Sequence, residues 1–282
     1  MAQPVRLSQS FANVPANALP NYPNPHGNAN ATMSGDSTRN TDPPYFSISS
    51  QTNWHALSTA FLNGHPATTT ANHPLNVESV YFPEATAHHQ SEGDVVHSAA
   101  MYLLHPTNQA LSSHPNITTR CQSEASANGI RGDITYYRAP TQQNPDYKAI
   151  AVVEFKKRGV IKQAEFQNTI RFQAPPTQPQ LDATVAEALA LPNKKETYFD
   201  GDAFVLIKQA AAYAIGHQTP YVGLFDWDFL VLVHFSQMPG TMDYVGDYCE
   251  LQVIPYAQSS TMRGALLGFL AHAYQNAPVV DV

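Results

Sequence analysis

The sequence predicts a mixed α/β domain, a central sheet flanked by helices. Three observations point there. Segments with apolar residues at helical spacing alternate with short runs of strand formers. The run Lys148–Phe155 (KAIAVVEF) is mostly apolar, as expected where both faces of a strand are covered. A length of 282 residues with 43% hydrophobic and 13% charged content supplies a sizeable core.

Taken in order, residues 1–50 read as a disordered arm. Pro4, Pro15, Pro20, Pro23, Pro25, Pro43 and Pro44 interrupt it, no apolar periodicity runs between them, and it is expected to add little to the core. Residues 51–282 read as one domain. A short helix is expected near Trp54–Leu62, then a His/Thr/Pro-rich loop. Val95, Val96, Ala99, Tyr102 and Leu103 mark a helix over Glu92–Leu104, with Ser91 as its cap. Pro106 discourages its continuation, with a further turn or short helix over 107–111. Residues 111–130 carry no clear signal.

Ile134–Arg138 is a strand, 139–145 (APTQQNP) a turn and Lys148–Phe155 a strand. Val160–Phe172 has helical spacing. A Pro-rich insertion follows near 173–200, with one short helix at Ala183–Leu191. Phe204–Ile215 is a strong helix. Tyr221–Asp226 and Phe229–Phe235 are strands joined through Asp226-Trp227-Asp228, which reads as a turn. Tyr248–Ile254 is a strand and Thr261–Tyr274 a closing helix capped by Ser259 or Ser260.

The net charge of −7 excludes a protein that coats nucleic acid through bulk charge. Nine of the 15 basic residues nevertheless fall between Arg120 and Arg171, a window that fits a local anionic ligand. Cys121 and Cys249 make neither a disulfide framework nor a cysteine zinc cluster, and they fit a reducing compartment. No apolar run reaches the roughly 18 residues of a membrane span, and the first 30 residues lack a secretory pattern. The expectation is an intracellular protein, in nucleus or cytoplasm, away from membranes. No P-loop or nucleophile-elbow motif occurs.

Chemistry centres on Glu154-Phe155-Lys156. On a strand the first and third side chains share a face, where a carboxylate can bind a metal and an ammonium can neutralise an anion beside it. A metal site for phosphoryl chemistry needs a second carboxylate. Asp146 lies on the same extended run, about 26 Å from Glu154. Asp133 pairs with Glu154 symmetrically about the turn, so Asp133 is the expected partner. Taken alone, these residues also fit a surface ion pair and a cross-strand polar pair.

Asp133, a hairpin, then Glu154-x-Lys156 resembles the D…(D/E)xK signature of the PD-(D/E)XK nuclease superfamily, with Arg131-Gly132 before the aspartate where a proline-containing form is usual. Gln209-Ala-Ala-Ala-Tyr213 is similar to the Q-x-x-x-Y motif of the RecB-like branch. Glu92 resembles the helical acid that many members add. The strings VVEFKKRGVI, LIKQAAAYA and YVGLFDWDFLVLVHF look like those of uncharacterised fungal members, and the likeness spans roughly residues 90–235.

The resemblance implies a restriction-endonuclease-like αβββαβ core, with a first strand inside 111–130, and a Mg²⁺-dependent nuclease acting on DNA, with Mn²⁺ as a substitute. Asp133, Glu154, the Phe155 carbonyl and Glu92 would hold the metal. Lys156 would orient the attacking water or stabilise charge on the phosphate. Gln209 and Tyr213 would contact substrate or hold Lys156. Lys157, Arg158 and Lys208 would meet phosphates of the nucleic-acid partner. The alternative is a module that keeps the fold to bind nucleic acid or act as a scaffold and has lost turnover. A homo-oligomer is compatible with either.

Overall fold

The computed structural model describes residues 5–23, 27, 29–32, 40–64, 74–76, 78–79, 88–127, 129–140, 146–192, 195–238 and 244–276. Residues 141–145 of the expected turn lie outside the described residues. Among the described residues ten strands run in chain order: β1 (Val5–Arg6), β2 (Phe46–Ser49), β3 (Glu78–Ser79), β4 (Thr119–Ala127), β5 (Ile130–Arg138), β6 (Lys148–Phe155), β7 (Ile170–Phe172), β8 (Tyr221–Phe225), β9 (Phe229–His234) and β10 (Tyr248–Pro255). The helices are α1 (Trp54–Asn63), α2 (Glu92–Ala99), α3 (His105–Ser112), α4 (Gln163–Gln167), α5 (Gln178–Leu189), α6 (Gly201–His217) and α7 (Ser259–Asn276). No helix among the described residues is long and apolar enough to cross a membrane.

Eight strands form one mixed sheet in the order β4-β5-β6-β8-β9-β10-β2-β7, and β1 pairs with β3 separately. The hairpin partners are antiparallel; β6 with β8, β10 with β2 and β2 with β7 are parallel. Helices cover both faces. On one, Val153, Phe155, Phe225 and Leu232 pack with Leu266, Phe269 and Leu270 of α7. On the other, Val152, Val222, Leu224 and Val231 pack with Leu206, Ile207 and Ala210 of α6. Strands sandwiched this way need apolar side chains in both directions, which is why KAIAVVEF shows no alternation. α1 crosses α7 at Gly268, where a Cβ would collide with the Trp54 carbonyl.

Three expectations are corrected. Val160–Phe172 does not form one helix: it becomes loop, the short α4 and strand β7, because Phe166 docks in the core and the chain then pairs with β2. Pro106 does not end the helix that begins at Glu92. A π segment, Ala100–Leu104, leads directly into α3. The carbonyl of Tyr102, which the missing N–H of Pro106 cannot serve, accepts from Arg263 Nε instead. The strand expected inside 111–130 is β4, Thr119–Ala127, whose polar, exposed edge-strand character hid its bounds from apolar periodicity. The insertion near 173–200 joins the domain through Leu181 of α5, which packs on Phe46 and Ile48.

The third correction concerns the arm. Leu7, Phe11, Leu19 and Tyr22 are buried in the core beside α7, and Phe46 and Ile48 of β2 sit inside the sheet. These apolar residues lie at spacings set by 3-10 turns and prolines, so no regular period betrays them. The domain therefore begins well before residue 51. Phe11→Ala should cost about 3–5 kcal/mol, as for other buried aromatic truncations, and deletion of residues 1–23 should cost more. Urea denaturation checks both; a deletion that leaves the midpoint unchanged would remove the arm from the core.

Candidate active site

The β5–β6 ladder sets Ile134 opposite Val153. One further step in that register places Asp133 beside Glu154, and the Asp133 N–H donates to Glu154 Oε2 at 3.2 Å. The expected hairpin register is the observed one. Gly132 permits it: a Cβ there would stand 2.8 Å from Val152 Cγ1 on β6. The Lys156 N–H donates to the Phe225 carbonyl at 2.8 Å, so the extended chain continues one residue past β6. Alternation then puts Glu154 and Lys156 on the face covered by α6, and sends the Phe155 ring into the opposite core against Phe225.

Gln209 and Tyr213 lie one turn apart on α6 and face the sheet, both buried. The Tyr213 hydroxyl donates to Glu154 Oε1 at 2.6 Å, and Lys156 Nζ donates to the same oxygen at 2.7 Å. Glu154 is only 5% exposed, and these three donors are what its buried charge requires. Asp133 in turn accepts the Phe155 N–H on Oδ2 at 2.8 Å. Each acid is thus bonded to the other strand.

The electrostatics follow from this geometry. Burial, reinforced by the Glu154 carboxylate, pushes the Asp133 carboxyl up to about 6, against the opposing pull of the Phe155 N–H and Lys156. Burial and then the Glu154 charge drive the Tyr213 hydroxyl far upward, so it remains a donor. Glu92 begins α2, where Ser91 Oγ accepts the Asp94 N–H at 3.2 Å. It is solvent-exposed at the rim, yet the surrounding cleft wall and Asp133 raise its carboxyl while Lys156 and the Lys157 N–H lower it.

A cleft of about 620 Å³ joins these groups, lined by Glu92, Asp133, Glu154, Lys156, Lys157, Gln209 and Tyr213. Two expected phosphate contacts lie elsewhere. Arg158 is 8% exposed and is held by Asp228, with Nε–Oδ1 at 2.8 Å, and by the Tyr22 carbonyl. Its guanidinium fastens the arm and is not offered to a ligand. Lys208 projects over the Phe204 ring, outside the cleft lining, because it is one residue round the helix from Gln209.

Sequence reasoning missed Arg131 as a wall residue, and missed Asn30, Ala31 and Thr32. Gln209 Nε2 donates to the Thr32 carbonyl at 2.8 Å across 177 positions of chain, a contact with no sequence signal. Gln209 Oε1 is buried with no hydrogen-bond partner among the described residues. Asp226 and Asp228 do form the β8–β9 turn: Asp226 Oδ1 accepts from the N–H groups of Asp228 and Phe229. Among the described residues no group of three or more His, Cys, Asp and Glu is placed to hold an ion by itself; Asp133 and Glu154 stand side by side, and Glu92 lines the same cleft at its rim.

The raised Asp133 carboxyl has a pH consequence. The folded state holds that proton more tightly than the unfolded chain, so its favourable contribution is complete below about pH 4 and is lost as pH rises through about 6. Asp133→Asn keeps an acceptor for the Phe155 N–H and removes the titration. Chemical denaturation between pH 4 and 7 should show a fall in wild-type stability that is smaller in the variant, where the raised Asp226 carboxyl still contributes. Comparison with protein-family models, curated proteins and solved structures finds no match to this chain, so the reading of its function rests on the site itself.

Proposed function

We propose that the chain is a Mg²⁺-dependent nuclease that hydrolyses phosphodiester bonds of DNA, on a restriction-endonuclease-like αβββαβ core. The observation that carries this is the convergence of Asp133, Glu154, Lys156 and Tyr213 in one hydrogen-bonded network, with Glu92 and Gln209 on the same cleft. The element order supports the fold reading: the α2–α3 helix, antiparallel β4, β5 and β6, helix α6, then β8 parallel beside β6.

The residues fit a hard dication. Two carboxylates stand side by side, and the mutual repulsion that helps raise Asp133 is what a bound cation would reverse. Mg²⁺ characteristically takes one or two carboxylates and keeps waters and substrate phosphate as its other ligands, so a third protein acid is not required. Asp133 and Glu154 would hold it, with the Phe155 carbonyl beside them and Glu92 at the rim. When bound, the ion would polarise the phosphoryl oxygen and lower the pKa of a coordinated water.

The chain's own groups do the rest. Tyr213 fixes Glu154. Lys156, released from part of its hold on Glu154, places positive charge where the phosphorane charge develops. Gln209 positions the strand through its side-chain amide. Water oxygen bonds to phosphorus in line and gives up a proton to solvent, while the bond to the leaving oxygen breaks and that oxygen keeps the electron pair and takes a proton from solvent. The second reading, a module that binds without turnover, draws on the 2.7 Å clamp between Lys156 and Glu154 and on the net charge of −7.

Calorimetric titration with Mg²⁺ and Mn²⁺ beside cleavage of labelled duplex and single-stranded DNA separates the two. Asp133→Asn and Glu154→Gln should abolish both metal binding and cleavage, since a neutral amide is a poor ligand for a hard dication. Lys156→Ala should keep metal binding while turnover falls about 100-fold or more. A wild type that binds DNA and no divalent ion, and cleaves nothing, would establish the binding module.

A further inference from the structure

The N-terminal arm reaches the cleft as well as the core. Ala29 N–H donates to the Gly159 carbonyl at 3.1 Å, and Lys162 Nζ donates to Asn30 Oδ1 at 3.4 Å. Ala31 N–H donates to Asp202 Oδ1 at 2.8 Å, and the Thr32 carbonyl accepts from Gln209 Nε2 at 2.8 Å. Asn30, Ala31 and Thr32 line the same cleft as Lys156 and Glu154.

We propose that Ala29–Thr32 is an autoinhibitory strap, docked along the substrate side of the cleft, that must lift before a phosphodiester strand can reach Lys156 and Glu154. The inference rests on the nuclease reading. Three features carry it. The Thr32 carbonyl presents an oxygen acceptor to Gln209, the side chain that reading assigns to the substrate strand. Among the described residues the attachment is four hydrogen bonds and two alanine methyls packed on the edge of the core, with Asn30 and Thr32 exposed. And the contacts lie on α6 and on the loop after Lys156, elements that carry the site, so the docked strap walls the cleft and holds the Gln209 amide that a ligand strand would need.

A strap that is open a fraction of the time weakens apparent substrate affinity by that fraction. The double variant Ala29→Pro/Ala31→Pro, in the full chain, deletes two of the N–H donors without touching a residue of the proposed machinery. Fluorescence anisotropy with a labelled oligonucleotide in Mg²⁺ should show binding tightened about tenfold, and cleavage below saturation should rise by a similar factor, as for a strap open about one time in ten. A synthetic peptide of residues 27–34 added in trans should reverse both. If the double variant does not fold, Ala31→Pro alone, which removes only the bond to Asp202, should show the same change.

A wild type that binds and cleaves while the folded variant does so equally or less well would overturn the strap and leave the nuclease reading standing. If neither protein binds or cleaves DNA, the nuclease reading falls and takes the strap with it.

Discussion

A carboxylate in the interior must be matched or it unfolds its surroundings, and Glu154 imposes that condition on three elements at once. Removing a charge from water costs several kcal/mol, recovered only with near-ideal partners. The extended chain one residue past β6 supplies Lys156. β5 supplies the Asp133 N–H, which needs Gly132 so that the strands can close. α6 supplies the Tyr213 hydroxyl, and it lies near enough because Ala210, Ala211 and Ala212 present only methyl groups in the packed layer. The same three donors that make Glu154 tolerable place an ammonium, a second acid and a phenol in one cleft.

The opposite face of the sheet is secured by other buried polar groups. Arg263 of α7 is 2% exposed and donates to carbonyls of Tyr102, Ser10 and Asn17, joining the π segment to the arm. Trp227, in the left-handed region at φ +78°, turns its indole into the core and donates to the Pro20 carbonyl at 3.1 Å. Arg158 completes the set through Tyr22 and Asp228. Irregular, proline-broken chain cannot satisfy its own carbonyls in a helix or ladder, so buried donors from distant elements do it. This is why basic residue 158, adjacent in sequence to the site, serves packing, while Lys156 and Lys157 face the cleft.

The two regions meet in the arm. Residues 7–22 belong to the core, whereas 29–32 lie against α6 and the loop that follows Lys156. One segment therefore contributes to stability at one end and borders the candidate chemistry at the other, and its effects on each can be separated by position.

Strong local signals carried much of this structure. Ser91 as a cap, the long helix around Gln209 and Tyr213, the strands at 148–155, 221–225 and 229–234, and the pairing of Asp133 with Glu154 all follow from short-range periodicity, capping and hairpin symmetry, which depend on nearby residues alone. The folding of the arm into the core, the conversion of 160–172 into loop, α4 and β7, the edge strand β4 and the diversion of Arg158 were decided by tertiary contacts. Their partners lie far away in sequence, Arg158 with Tyr22 and Gln209 with Thr32 among them, and a residue's local pattern holds no record of which distant carbonyl or apolar face will claim it.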